Sequence, residues 1–149
     1  MPKTEKQKAW KWCSKYIRLR DATEFSRKYL PPDEDPVCGE CCSCGKIVHW
    51  KYADAGHYFG RGMGGGSGVY FDERNIHLQC KQCNAGFKGD VAQAYTDFML
   101  KKYGQKVIDE LRLKHHVPLR QRDGEFRAIG QYYKERYEEL KNGKKKAAS

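Results

Sequence analysis

Two cysteine pairs, Cys41-x-x-Cys44 and Cys80-x-x-Cys83, stand 35 residues apart in a chain of 149. They constrain the fold more than any other feature. A C-x-x-C turn brings two thiolates to one side of a tight loop, and two such turns complete the tetrahedral sulfur shell that structural zinc takes. Soft thiolates suit zinc and not magnesium. Gly45 follows Cys44 directly and lets the backbone fold around a metal without a Cβ clash. Cys38 creates a rival first pair of equal spacing, Cys38-x-x-Cys41. Gly45 favours Cys41 and Cys44, and the choice stays open at this stage. Cys13 and Cys42 are expected to be free thiols.

Seven cysteines fit poorly with full disulfide pairing. No apolar run approaches the roughly 20 residues of a membrane span, and no apolar stretch follows the charged N-terminus, Met1 to Lys6. The expectation is a cytoplasmic chain without membrane contact, a setting in which close cysteine pairs bind metal. A zinc ion held by four cysteines has no open coordination position. Any catalysis must therefore come from other residues.

The net charge of +10 is unevenly spread: +6 over residues 1–32, −2 over 33–90 and +6 over 91–149. Basic flanks around a slightly acidic middle point to nucleic acid gripped from the sides. Residues 5–20 have helical apolar spacing through Trp10, Cys13, Ile17 and Arg20. Tyr29 to Pro36 reads as a linker. Residues 47–50 and 55–59 read as short strands. Six glycines between 60 and 68 mark a loop. Helices are predicted over 90–103, 105–114 and 124–141, the last with a stripe of Phe126, Ile129, Tyr133, Tyr137 and Leu140. The expected fold class is α+β. It divides into a basic N-terminal helical arm (1–30), a zinc-stapled core (37–104), C-terminal helices (105–141) and a disordered basic tail (142–149).

Between and just after the cysteine pairs lie Asp54-Ala55-Gly56-His57, Asn75, and Asn84 directly after Cys83. Phosphodiester hydrolysis needs an activated water and a Lewis acid on the phosphate. His57, with a reference pKa near ~6.5, can take a proton from water. Asn84 and Asp54 offer the oxygen ligands that a hard cation such as Mg2+ or Mn2+ prefers. In a regular strand Asp54 would point away from His57, and a bulge at Gly56 could bring it round. Otherwise His57 could itself bind the metal, with His77 as the reserve base. Arg61, in the glycine loop, is a candidate phosphate clamp. His49, His115 and His116 are read as packing or helix-end residues.

His57, Asn75 and Asn84 resemble the signature residues of the HNH (ββα-metal) nucleases. The interleaved cysteine pairs ending in Cys83-Asn84 resemble that superfamily's zinc-bearing endonuclease VII-like group. The resemblance implies His57 as general base, Asn75 as the residue holding the loop that orients it, and Asn84 as a ligand to the catalytic metal. A closer resemblance runs through Trp10-Lys11-Trp12, residues 16–21, Cys41 to Lys46, His49-Trp50, Asp54 to His57, Tyr70 to Asn75, His77, Gln79, Cys80, Cys83, Asn84 and Lys102-Tyr103-Gly104. It is to the lambdoid-phage NinG (Rap) recombination endonuclease family, and it covers roughly residues 8–115. It implies a phage-encoded enzyme in a bacterial host, cutting branched intermediates such as Holliday junctions and D-loops. One departure is Gly56, where many HNH enzymes carry Asp or His as a metal ligand.

DNA contacts are expected from Lys8, Lys11, Lys15, Arg18, Arg20, Arg61, Arg74 and Lys88, and from the tail lysines. Two cuts on opposing strands suit a homodimer. The rival readings are an HNH nickase of other specificity and a noncatalytic zinc-dependent DNA-binding module.

Overall fold

The structure, a computed structural model, describes residues 2–31, 34–60, 66–86 and 89–148, with side chains up to residue 143. Helix α1 (Glu5–Tyr29) opens on a capping box: Thr4 Oγ1 accepts from Gln7 N at 3.1 Å, and Gln7 Oε1 accepts from Thr4 N at 2.9 Å. It runs nine residues beyond the apolar spacing that predicted it. The extension buries only Ala22 and Ser26, too faint an apolar signal to read. Leu30, extended ahead of Pro31, ends it.

Strands β1 (Cys38–Glu40) and β2 (Ile47–His49) form one antiparallel hairpin, so its turn is the first cysteine loop. Strands β3 (Asp54–His57) and β4 (Ile76–Gln79) form a second antiparallel pair, and α2 (Lys81–Asn84) follows β4 almost at once. Trp50, expected in a strand, lies in a 3-10 turn, and β3 ends at His57 instead of reaching Phe59. Helices α3 (Val91–Lys102) and α4 (Gln105–His115) turn at Gly104, whose φ of +88° suits glycine. Helix α5 (Asp123–Ala148) continues through the tail that composition alone reads as disordered.

The second hairpin sits between two apolar layers. On one side, Ala55 and Ile76 pack with Cys13, Tyr16 and Ile17 of α1 and with Ile129, Tyr133, Tyr137 and Leu140 of α5. The α5 stripe is thus helix packing, as its spacing predicted. The two helices approach closely at Gly130, where an added Cβ would lie 3.3 Å from Ala9 Cα. On the other side, Tyr95 and Met99 of α3 and Ile108 and Leu111 of α4 pack with Val69 and Cys42. Neighbouring residues of α1 pin β4 in place. Asp21 Oδ2 accepts from Leu78 N at 2.7 Å, while Arg20 donates to the carbonyls of Glu73 (3.0 Å) and Ile76 (2.8 Å). The result is an α+β fold with five α-helices among the described residues, none of them long and apolar enough to cross a membrane.

Candidate metal centre and active site

The sulfurs of Cys41, Cys44, Cys80 and Cys83 lie within 4.8 Å of one another. A tetrahedral site with Zn–S near ~2.3 Å has sulfur–sulfur edges of about 3.8 Å, and Cys44 Sγ to Cys80 Sγ measures 3.8 Å. Local backbone supports the arrangement. Gly45 has φ +77° and donates to Cys41 O, while Cys80 N and Cys83 N point at Cys41 Sγ (3.3 Å) and Cys80 Sγ (3.5 Å). Four thiols so placed could hold a zinc ion. Cys38 is outside this group, paired across the hairpin with His49, which settles the first pair as Cys41 and Cys44. Cys13 and Cys42 are buried thiols, their pKa values pushed up by burial.

The β3–β4 pair and α2 form a β-β-α unit around the candidate chemistry. The ladder is regular: Asp54 faces Gln79, Gly56 faces His77, and His57 faces Ile76. The bulge suggested at Gly56 is absent, so Asp54 and Gly56 share one face of β3 and His57 starts on the other. His57 is nevertheless the last residue of the strand, and it lines the same open groove as Gln79 and Asn84. Asp54 meets Asn84 without a bulge, because α2 folds back over β3. Asn84 Nδ2 donates to Asp54 Oδ2 at 3.0 Å, and Lys81 Nζ pairs with Asp54 Oδ1 at 2.8 Å.

Two aromatic rings pack against the His57 ring. Trp10 of α1 stacks on it at 4.6 Å, 25° from parallel, and the Tyr70 ring lies at 4.9 Å. His57 Nε2 donates to Tyr70 O at 2.9 Å. A carbonyl only accepts, so the proton of the neutral ring sits on Nε2 and Nδ1 is the basic nitrogen. Asn75 is fully buried and braces the surrounding loop. Its Oδ1 accepts from Phe59 N at 2.8 Å, and its Nδ2 donates to the carbonyls of Phe59 (3.1 Å) and Val69 (3.3 Å).

Several other candidates are employed elsewhere. His77 is fully buried, with Nε2 2.8 Å from the Tyr103 hydroxyl and Nδ1 3.4 Å from that of Tyr95. Burial, then Arg20 and Lys102, holds its pKa well below the usual histidine range. It is a neutral packing residue and not a reserve base. Arg20 is engaged with Asp21 and the β4 backbone. Arg74 is committed to Asp72 and Glu110. Arg18 is half-buried, donating to Ser14 and to Trp50 O, and burial lowers its pKa. Lys8 pairs with Glu5 at 3.3 Å and stays mostly exposed. Arg61 and Lys88 lie outside the described residues.

Lys11 and Lys15 belong to a cationic cluster that also takes in α5. Lys11, Lys15 and Lys134 lie over the Trp12 ring at 5.8, 5.0 and 5.6 Å, and Lys141 over Tyr137 at 5.5 Å. Among the described residues no carboxylate pairs with any of the four. Partial desolvation and then the charges of Lys11, Arg18 and Lys141 lower the Lys15 pKa. Trp10, Tyr70, Lys134 and Lys141 were missed as site residues, because only the fold brings them beside His57 or Trp12. Trp10 was legible as part of an apolar helix face and no further.

Residues 3–144 match the family model described as bacteriophage lambda NinG protein. The chain is similar to the NinG proteins of Escherichia phage 933W (35% identical), Escherichia phage lambda (33%) and Salmonella phage P22 (32%). Each match spans 108 residues and covers 72% of this chain. The matches take in 51%, 50% and 51% of those relatives, so the chain spans about half the length of the relatives it matches. No solved structure matches. The match over nearly the whole described chain, cysteine cluster and hairpin included, places this protein in the NinG family of bacteriophage proteins.

Proposed function

We propose that this chain is a divalent-metal-dependent DNA endonuclease of the HNH (ββα-metal) type that hydrolyses phosphodiesters in branched recombination intermediates, Holliday junctions and D-loops, inside a bacterial host. One observation carries this reading. A β-β-α unit brings two residues to one groove, His57 with its Nε2 turned to Tyr70 O and Asn84 with its amide on Asp54, and Asn75 braces the loop between.

In this reading His57 Nδ1 accepts the proton of the attacking water. Trp10, Tyr70 and the Tyr70 carbonyl keep the ring from turning. Asp54 and Asn84 would hold a Mg2+ or Mn2+ ion, which would supply Lewis acidity for phosphodiester hydrolysis. Their fit rests on the Asp54 carboxylate held beside Asn84 through Asn84 Nδ2, which leaves the Asn84 amide oxygen as a second donor of the kind hard cations prefer. Lys81 is exposed and pairs with Asp54 Oδ1. The cysteine cluster, loaded with zinc, fixes the start of α2 and therefore Asn84. Lys11, Lys15, Lys134 and Lys141 grip phosphates along the α1–α5 seam, with Trp12 and Tyr137 as flat surfaces between them. A homodimer would supply the two cuts that a four-way junction needs.

The test is cleavage of a labelled four-way junction and a matched linear duplex, with and without Mg2+. Junction-selective, Mg2+-dependent cutting is expected. Equal cutting of both would remove the branched specificity, and no cutting under any condition would remove the enzymatic reading.

A further inference from the structure

We propose that Gln79 supplies a third oxygen ligand to the divalent-cation site, taking the place of the side chain that Gly56 lacks. The proposal rests on the nuclease reading above and adds a residue to it.

The ladder puts Asp54, Gly56 and Gln79 on one face of the hairpin, with Asp54 directly opposite Gln79. A Cβ built on Gly56 would collide with Gln79 Oε1 and lie 3.2 Å from Asn84 Oδ1. Two amide oxygens therefore converge on the point from which a side chain at 56 would start. Each is aimed there by the other half of its own amide. Gln79 Nε2 donates to Ser43 Oγ at 2.9 Å, which turns Oε1 away from Ser43. Asn84 Nδ2 donates to Asp54 Oδ2 at 3.0 Å, which turns Oδ1 toward Gly56. Gln79 is 3% exposed and its amide nitrogen is committed to Ser43, so its oxygen is the atom left facing Gly56.

One carboxylate and two neutral amide oxygens suit a hard dication that keeps several waters. The filled site would hold a net charge of about +1, which favours an incoming phosphodiester anion. Gly56 is then a requirement and not a loss: any side chain there would displace the Gln79 oxygen. Ser43 lies inside the first cysteine turn, so the sulfur-bound metal would also orient a ligand of the oxygen-bound one.

The test is a Mn2+ titration of the zinc-loaded full chain, following the free aquo-ion signal by electron paramagnetic resonance. Gln79→Met keeps length and apolar packing but removes the oxygen, and Gln79→Glu restores an oxygen with a charge. The wild type is expected to take up Mn2+, with affinity reduced tenfold or more in Gln79→Met and Gly56→Ala, and retained or raised in Gln79→Glu. Zinc content and melting temperature serve as folding controls, and Asn84→Ala as the reference for a lost ligand. Unchanged Mn2+ affinity in Gln79→Met alongside a weakened Asn84→Ala would overturn the Gln79 assignment and leave the nuclease reading standing. Failure of the wild type itself to take up Mn2+ would overturn both.

Discussion

Replacing Asn75 by Ala tests how the loop beside His57 is held. The side chain is fully buried and makes three hydrogen bonds, at 2.8, 3.1 and 3.3 Å, to the backbone of Phe59 and Val69. Alanine leaves the Phe59 N–H, the Phe59 carbonyl and the Val69 carbonyl without these partners. A net value of about 1 kcal/mol per bond gives a loss of about 3 kcal/mol, more if no water enters to replace them. For a chain of this size each kcal/mol shifts the melting temperature by roughly 2–4 °C, so a fall of roughly 6–12 °C is expected. Circular dichroism melts in zinc-containing buffer measure it, with zinc content confirming that the cysteine cluster is intact. Cleavage measured well below the variant's melting temperature should also fall, because Asn75 Oδ1 accepts from Phe59 N and so ties down the chain two residues after His57. A melting temperature within 2 °C of wild type would refute the hydrogen-bond accounting and the brace role together.

Other outcomes follow from the same geometry. Chelation of zinc, or Cys83→Ser, should abolish cooperative unfolding, because four thiolates hold the β1–β2 turn against the β4–α2 turn; a cooperative melt at unchanged temperature would contradict this. His77 is kept neutral in the fold but protonates when unfolded, so its contribution is fully present above about pH 6.5 and is lost as pH falls, at up to about 1.4 kcal/mol per pH unit. Denaturant titrations from pH 7 to pH 5 should show that slope, reduced in His77→Gln, and an equal slope in both would refute it. Removing Lys11, Lys15, Lys134 and Lys141 together should lower the slope of log affinity against log salt by up to about 0.9 per lysine that contacts a phosphate. An unchanged slope would move the DNA grip elsewhere.

What the sequence made legible was what local chemistry determines. The cysteine spacing with Gly45 picked out the four sulfurs that the fold gathers, and the spacing of Ile129, Tyr133 and Tyr137 revealed the face of α5 that meets α1. Residue type alone marked His57, Asn75 and Asn84, but not the partners that orient them. Trp10 reaches His57 from 47 positions away in the chain, and Gln79 reaches Gly56 through strand register, so neither contact leaves a local pattern. Nor did residue type show what Arg20 and Arg74 already touch, the β4 carbonyls for one and the Asp72 and Glu110 carboxylates for the other. Asp54 needs no bulge, since α2 brings Asn84 to it over a regular strand.

The most direct test of the two-site account compares wild type and His57→Ala on one labelled four-way junction, measuring binding and cleavage in parallel with Mg2+ or Mn2+ present. Binding should survive, because the lysine-lined α1–α5 seam is untouched, while cleavage falls by orders of magnitude. Cleavage at the wild-type rate by His57→Ala would contradict the account.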